Sequence, residues 1–316
     1  LYDAIARNRR KSWLLVAIAF VLLMLVGEAF NLYLGGGPFG ILIALGIAGT
    51  GTVSSYYFSD KLALGIAGAH EVTHEQAPQL YNIVSEVAIA AGLPMPRVMI
   101  VRDEAPNAFA TGRDPEHAVV AVTTGLLERM NREELQGVIG HEMSHVLNRD
   151  TRVTTMVVAV CGAIVVLCDL FWRFSFFGGR SRSRNDNDSG GLALVLMALG
   201  IVALILAPLG AALIQSAVSR KRESLADSTC VSLTRNPAGL RKALEKLLAD
   251  TTVVSHTSRA TAHLWIESPL DREGDKSWLN KMFDTHPPLT ERIAALAAME
   301  NAGPAAALGG TSPGTA

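Results

Sequence analysis

The pattern HExxH occurs twice in this chain, as HEVTH at residues 70–74 and as HEMSH at residues 141–145. On one face of a helix, two histidines four residues apart can turn their imidazoles to a single divalent ion. The glutamate between them can then take a proton from a water activated by that ion. The chemistry on offer is metal-assisted hydrolysis, and it requires the segment to be helical. Around residue 141 a helix is expected. Asn131 with Glu134 three residues on forms a capping box, so the helix should begin at Arg132. Leu135, Val138, Ile139, Met143, Val146 and Leu147 then recur at helical spacing and supply a buried face. His141 and His145 share a strip beside that face, with Glu142 between it and them. Around residue 70 the requirement fails. Thr73 with Gln76 reads as another capping box, which starts a helix only after His70, and Pro78 lacks the amide that would bond back to the carbonyl of His74. HEVTH therefore reads as a surface strand-to-helix turn.

A catalytic zinc takes three protein ligands and leaves one position for water. A third histidine six residues after the second is absent, because Thr151 stands there, and Asn148 replaces the glycine of that longer pattern. A distant glutamate is the natural alternative. Glu223, in Arg222-Glu223-Ser224-Leu225-Ala226-Asp227, is the best candidate. Asp227 lies one helical turn further and could accept a hydrogen bond from a ligating histidine, fixing its tautomer. Spacing alone equally allows Glu223 to pair with Arg220 or Arg222 at a membrane interface.

The elements that must position these groups are unusually apolar. Hydrophobic residues make up 49% of the 316 and charged residues 18%, with a mean hydropathy of +0.29, whereas a soluble domain carries about a quarter charged residues. A net charge of −1 and the lack of a basic stripe exclude nucleic acid as a partner. Cys161, Cys168 and Cys230 have no metal-type spacing and no disulfide framework. Apolar runs cover residues 13–34, 39–58, 153–177 and 190–219. The first two are each about long enough for a hydrocarbon core of roughly 30 Å. The third is weaker because Asp169 and Arg173 follow its charge-free part, and the fourth is longer than a span requires. The first has no convincing cleavage site and reads as a span rather than a signal. Arg7, Arg9, Arg10 and Lys11, then Arg149 and Arg152, then Arg220, Lys221 and Arg222 all fall on one side of four spans, which makes that side cytoplasmic. Arg180, Arg182 and Arg184 run against that rule.

Between the runs, Pro78 to Ala91 reads as an amphipathic helix, and Arg97 to Arg102 and His117 to Thr123 read as strands. Asn236-Pro237 starts a helix through Ala249, and Thr290 to Met299 forms another. The expected fold is an α-rich membrane protein. Two transmembrane helical hairpins (residues 1–60 and 153–219) flank and interrupt a cytoplasmic α+β catalytic domain built from residues 61–152 and 220–300, with a small strand-containing subdomain and a disordered tail at 301–316. If the helix through His145 continues into the third run, the metal lies about 12 Å from the start of that run. Substrates should then be membrane proteins or their exposed loops.

HEMSH, RESLAD at 222–227, PNAFATG at 106–112 and THPPLTERIAAL at 285–296 together resemble the HtpX group of membrane metallopeptidases, relatives of the CAAX prenyl proteases within the gluzincins. The resemblance runs from the first hairpin to about Met299, and four ordered motifs make it specific. It implies a zincin-like (gluzincin) fold and one zinc ion per chain held by His141, His145 and Glu223, with Glu142 as the catalytic glutamate. It also implies a stress-linked endopeptidase that degrades damaged or misfolded membrane proteins, multi-pass in a bacterial inner membrane, with its active site on the cytoplasmic side. Asn107 to Thr111 looks like the family's cleft-edge segment, which makes Asn107, Ala108, Phe109 and Ala110 candidates to bind an extended substrate by backbone pairing. Asn107 and His286 are candidates to hydrogen-bond substrate or the developing oxyanion. Read alone, Asn107 fits a turn and His286 the end of a loop before Pro287-Pro288. Arg292 has a weaker claim on substrate, since a helical arginine is usually solvated. The RSRSR loop at 180–184 departs from the family pattern and bears on topology. The expected partners are membrane lipid and membrane-protein or peptide substrates, with a homo-oligomer left open. Two rival readings stand beside this one: a CAAX-protease-like processing peptidase of narrow substrate range, and a non-enzymatic four-span scaffold.

Overall fold

The computed structural model describes residues 38–151, 220–252, 254, 264–266 and 288–302, with scattered positions from 10 to 24. The expected spans 153–177 and 190–219, most of 13–34, the RSRSR loop and His286 lie outside the described residues.

The short strand β4 (Val119–Thr123) shows how the domain is layered. Its sequence VVAVT is β-branched and apolar almost throughout, as a strand covered on both faces should be. Val120 and Val122 turn to a helical core that includes Ile83, Leu126, Leu135, Ile139 and Leu244. Val119 and Ala121 turn the other way, against Phe109, Trp265, Ala63 and Leu64. Around it stand β1 (Ala69–Glu71), β2 (Arg97–Val101) and β3 (Ala108–Thr111), in the order β1-β2-β4-β3. β2 runs parallel to β4 with Val98 opposite Val120, and β3 is antiparallel with Phe109 opposite Ala121. β3 is therefore an edge strand, and the loop leading into it carries Asn107.

The helices are α1 (Pro38–Ile66), α2 (Pro78–Ala91), α3 (Thr124–Arg129), α4 (Arg132–Leu147), α5 (Arg220–Thr234), α6 (Pro237–Ala249) and α7 (Leu289–Ala302). α4 starts as its sequence dictates. Asn131 Oδ1 accepts from the Glu134 amide at 3.0 Å and Glu134 Oε2 accepts from the Asn131 amide at 2.9 Å. Lys246 of α6 adds a contact of 2.6 Å to the same Glu134 oxygen, tying the two helices together. α4 is enclosed on more sides than its apolar stripe foretells: Gly137, Gly140 and Ser144 are buried as well. A Cβ on Gly137 would stand 2.5 Å from the Leu240 backbone nitrogen of α6, and one on Gly140 would stand 2.9 Å from Cys230 Sγ of α5. Both glycines allow a neighbouring helix to close on α4.

Several sequence expectations shift in detail. His70 lies in β1 and His74 in the turn after it, well apart from any shared helical face. Thr73 and Gln76 do not cap a helix. The Thr73 amide donates to Gln76 Oε1 at 2.9 Å and the Gln76 amide to the Thr73 carbonyl at 3.2 Å, closing a turn. α2 begins only at Pro78, whose fixed φ and missing amide suit a first helical position. His117 sits in a single 3-10 turn capped by Asp114, so the strand starts at Val119. The helix through His145 is interrupted before helical residues resume at 150–151. It ends at Leu147, and Arg149 adopts a left-handed φ of 57°.

Among the described residues, no helix is long and apolar enough to cross a membrane. The expected span 39–58 falls within α1, which does not stop at Phe58. It runs on through Asp60 and Lys61 to bury Ala63 and Leu64 against the sheet. Leu42, Leu45, Val53, Tyr57, Phe58 and Leu62 stay exposed along it.

Candidate metal centre

α4 and α5 cross so that three donors meet. One turn of helix brings His141 and His145 to the same face, and their Nε2 atoms stand 3.2 Å apart. Glu223, in the first turn of α5, presents one carboxylate oxygen to each, at 3.4 Å from His141 Nε2 and 3.6 Å from His145 Nε2. Four-coordinate zinc with bonds of about 2.0–2.2 Å needs donor separations of about 3.3–3.6 Å. The nearest approaches are close to that spacing, one ligand atom from each residue lies within 4.8 Å of the others, and two imidazole nitrogens with a carboxylate are a zinc donor set.

Each imidazole is held from behind. Asp227 Oδ1 lies 2.9 Å from His141 Nδ1, and Asp150 Oδ2 lies 3.3 Å from His145 Nδ1. With both Nδ1 atoms engaged by carboxylates, the Nε2 lone pairs are the ones left to face a metal. Asp227 was legible in the sequence because it is one helical turn from Glu223. Asp150 was not, since it lies beyond the end of α4 and only the left-handed turn at Arg149 brings it back.

Arg292 of α7 occupies a different place from the solvated or substrate-facing one expected. It is 3% exposed and donates to Asp227 from Nε at 3.0 Å and from Nη2 at 2.7 Å. Its Nη1 is 3.5 Å from Glu223. Nη2 lies 3.2 Å and 3.3 Å from the two ring nitrogens of His141, and such near-equal distances put it over the ring face rather than in line with either lone pair. Burial and the Arg292 charge both pull the His141 pKa down, but hydrogen bonds to Asp227 and Glu223 prevail and push it up to about 9. Burial would raise the Asp227 carboxyl, but Arg292 and His141 hold it down at about 2. The carboxyl groups of Glu142, Glu223, Asp227 and Asp150 outnumber the Arg292 and His141 cations in this cluster, a surplus that a divalent ion relieves.

Glu142 is buried beside the trio, and burial is the main reason its carboxyl is pushed above the usual range. The Ala110 amide of β3 donates to it, which ties the sheet edge to α4. Asn107, Ala108, Phe109 and Ala110 are all buried. Asn107 Oδ1 accepts from the Ala108 amide at 3.0 Å, and its carbonyl accepts from the Thr123 amide at 2.9 Å. The Ala108 carbonyl, on the open side of β3, accepts from the Ile266 amide at 2.9 Å. Phe109 stacks edge-on against Trp265 with centroids 4.7 Å apart.

The family model described as Peptidase family M48 matches residues 74–300. A "Protease HtpX homolog" of Streptococcus gordonii is 44% identical over 300 residues, covering 95% of this chain and all of that relative. Relatives of the same description from Streptococcus thermophilus and Thermoanaerobacter pseudethanolicus are 47% and 46% identical, each over at least 94% of this chain and 97% of their own length. A crystal structure of S. mikatae Ste24p matches with a TM-score of 0.46 and 16% identity, covering 94% of this chain and 66% of that one.

Proposed function

Since the chain belongs to peptidase family M48 and is a zinc metallopeptidase, we propose that it acts as an endopeptidase on damaged or misfolded membrane proteins, from the cytoplasmic side of a bacterial inner membrane that it crosses several times. The observation that carries the reading is the meeting of His141, His145 and Glu223 at zinc spacing, with the buried Glu142 beside them. A non-enzymatic scaffold has no use for that arrangement.

Bound zinc supplies Lewis acidity, which brings a water within reach of neutral-pH deprotonation and polarises a peptide carbonyl. The protein's own groups do the rest. Glu142 is a stronger base than an exposed carboxylate because burial disfavours its charge. It takes the proton of the attacking water and returns it to the leaving amine. Asp227 and Arg292 keep His141 from turning. An extended substrate would lie along the outer side of β3, where pairing with backbone tolerates almost any sequence. To reach the Ala108 carbonyl it must take the place of Ile266.

The membrane assignment draws on the apolar runs and their flanking Lys and Arg residues. It draws also on α1, whose exposed Leu42, Leu45 and Val53 find no cover in the domain. Tyr57 and Phe58 follow, with Arg113 and Lys61 against their rings at 5.2 Å and 5.0 Å, as aromatics and cations gather at a bilayer surface.

The test is Glu142→Gln in the purified full chain. It should retain stoichiometric zinc while turnover of an unfolded membrane-protein substrate falls by about 10²–10⁴-fold. Retained turnover would defeat the assignment. Cleavage of many unrelated membrane proteins by the wild type supports quality control, and cleavage of a single one would replace it with a processing role.

A further inference from the structure

The two histidines of the centre are not equally secured. His141 is 1% exposed, wedged between Asp227 and the Arg292 guanidinium. The His145 side chain is 17% exposed, and the polar group behind it is Asp150. Reaching it takes an unusual stretch of backbone. α4 ends at Leu147, Asn148 caps it, and Arg149 turns left-handed at φ 57°, a conformation that side chains with a Cβ rarely adopt. The turn folds Asp150, which is buried, back under the helix end and sets Oδ2 3.3 Å from His145 Nδ1. A continuing helix would have carried residue 150 past the imidazole. The backbone distortion and the hydrogen bond thus have a common result, the aim of one ring.

We propose that Asp150 is a positioning residue that fixes the tautomer and orientation of His145, and through it the affinity for the metal. With Nδ1–H donated to Asp150, the Nε2 lone pair is directed at His141 Nε2 and the Glu223 carboxylate. Without it the partly exposed ring can turn to solvent or move its proton to the ligating nitrogen. The proposal rests on the reading of His145 as a metal ligand.

The experiment uses the purified full chain in detergent, with zinc affinity measured by chelator competition and the ligand field read from the visible absorption of bound cobalt(II). Asp150→Ala should weaken zinc binding about 10–100-fold and shift the cobalt spectrum. Asp150→Asn, which keeps an acceptor but not its charge, should fall between Ala and wild type. A purely structural Asp150 would instead lower the Tm of the chelated protein and leave the zinc affinity of the folded fraction unchanged, and that result overturns the proposal. If Asp150→Ala does not fold, Asp150→Asn decides alone, since wild-type affinity and spectrum in that variant also overturn it. His145→Ala is the control for the underlying reading. If it kept wild-type zinc affinity, His145 would be no ligand and both claims would fall together, whereas loss of zinc there with no effect at Asp150 sinks this proposal only.

Discussion

His141 shows how few atoms decide the behaviour of the centre. Its Nδ1 faces Asp227, its ring lies under Arg292 and its Nε2 faces Glu223, so in the metal-free protein a proton on the ring is strongly favoured. Its pKa stands at about 9, against 6.5 for an ordinary histidine. A pKa raised in the folded state adds stability below the unfolded value, and that stability is lost as pH rises through the folded value. The chelated protein should therefore lose thermal stability between pH 6.5 and 9. Asp227, lowered from 3.8 to about 2, acts in the opposite sense and withdraws its contribution only as pH falls from 3.8 toward 2. Zinc needs the ring unprotonated, so the loaded protein should not show the alkaline decline, and loading at pH 7.5 should release a proton. Calorimetry in buffers of different ionisation enthalpy measures that proton, and its absence would contradict the place given to His141. Of the residues involved, those related by one helical turn were readable in advance: His141 to His145, and Glu223 to Asp227. Arg292 was not, because a single arginine on a helix says nothing about the carboxylate it meets 65 residues away.

At the scale of elements, α4 matters most, and its two glycines carry as much meaning as its histidines. Replacing an exposed helical glycine by alanine normally stabilises by about 1 kcal/mol. At Gly137 the added Cβ meets the backbone of α6 at 2.5 Å, where no flexible side chain can give way. Overpacking of that kind costs about 1–3 kcal/mol, so Gly137→Ala should lower Tm, and zinc affinity should weaken as α4 is pushed from its neighbours. Gly46→Ala, where nothing stands within 4 Å, is the control and should hold or raise Tm while leaving zinc affinity unchanged. Local chemistry made most elements legible. The Asn131–Glu134 capping box, Pro78, and the Asn236-Pro237 start of α6 act within a few residues and set the boundaries found. One expectation failed where a local signal had a second use. Thr73 and Gln76 bond to each other to close a turn rather than a cap. Asn148 and Arg149 end α4 without glycine or proline, in a conformation that tertiary contacts of Asp150 help to hold.

At the scale of the molecule, the core is shared between two distant stretches of chain. Leu80, Ile83, Leu135, Ile139 and Met143 come from the first, and Cys230, Leu240, Leu244, Leu247 and Leu296 from the second. Neither can bury its apolar face alone. A chain ended at residue 219 should leave the α4 amides unprotected in hydrogen exchange, while the full chain protects them. Protection in the shortened form would mean that the first stretch folds by itself. Hydropathy could show that apolar runs separate the two stretches, but not that α1 continues unbroken from such a run into the sheet. The order of the parts also has a temporal consequence. During synthesis the paired imidazoles leave the ribosome before Glu223, and Arg292 follows later still. A nascent copy therefore cannot close the three-donor site before Glu223 has emerged.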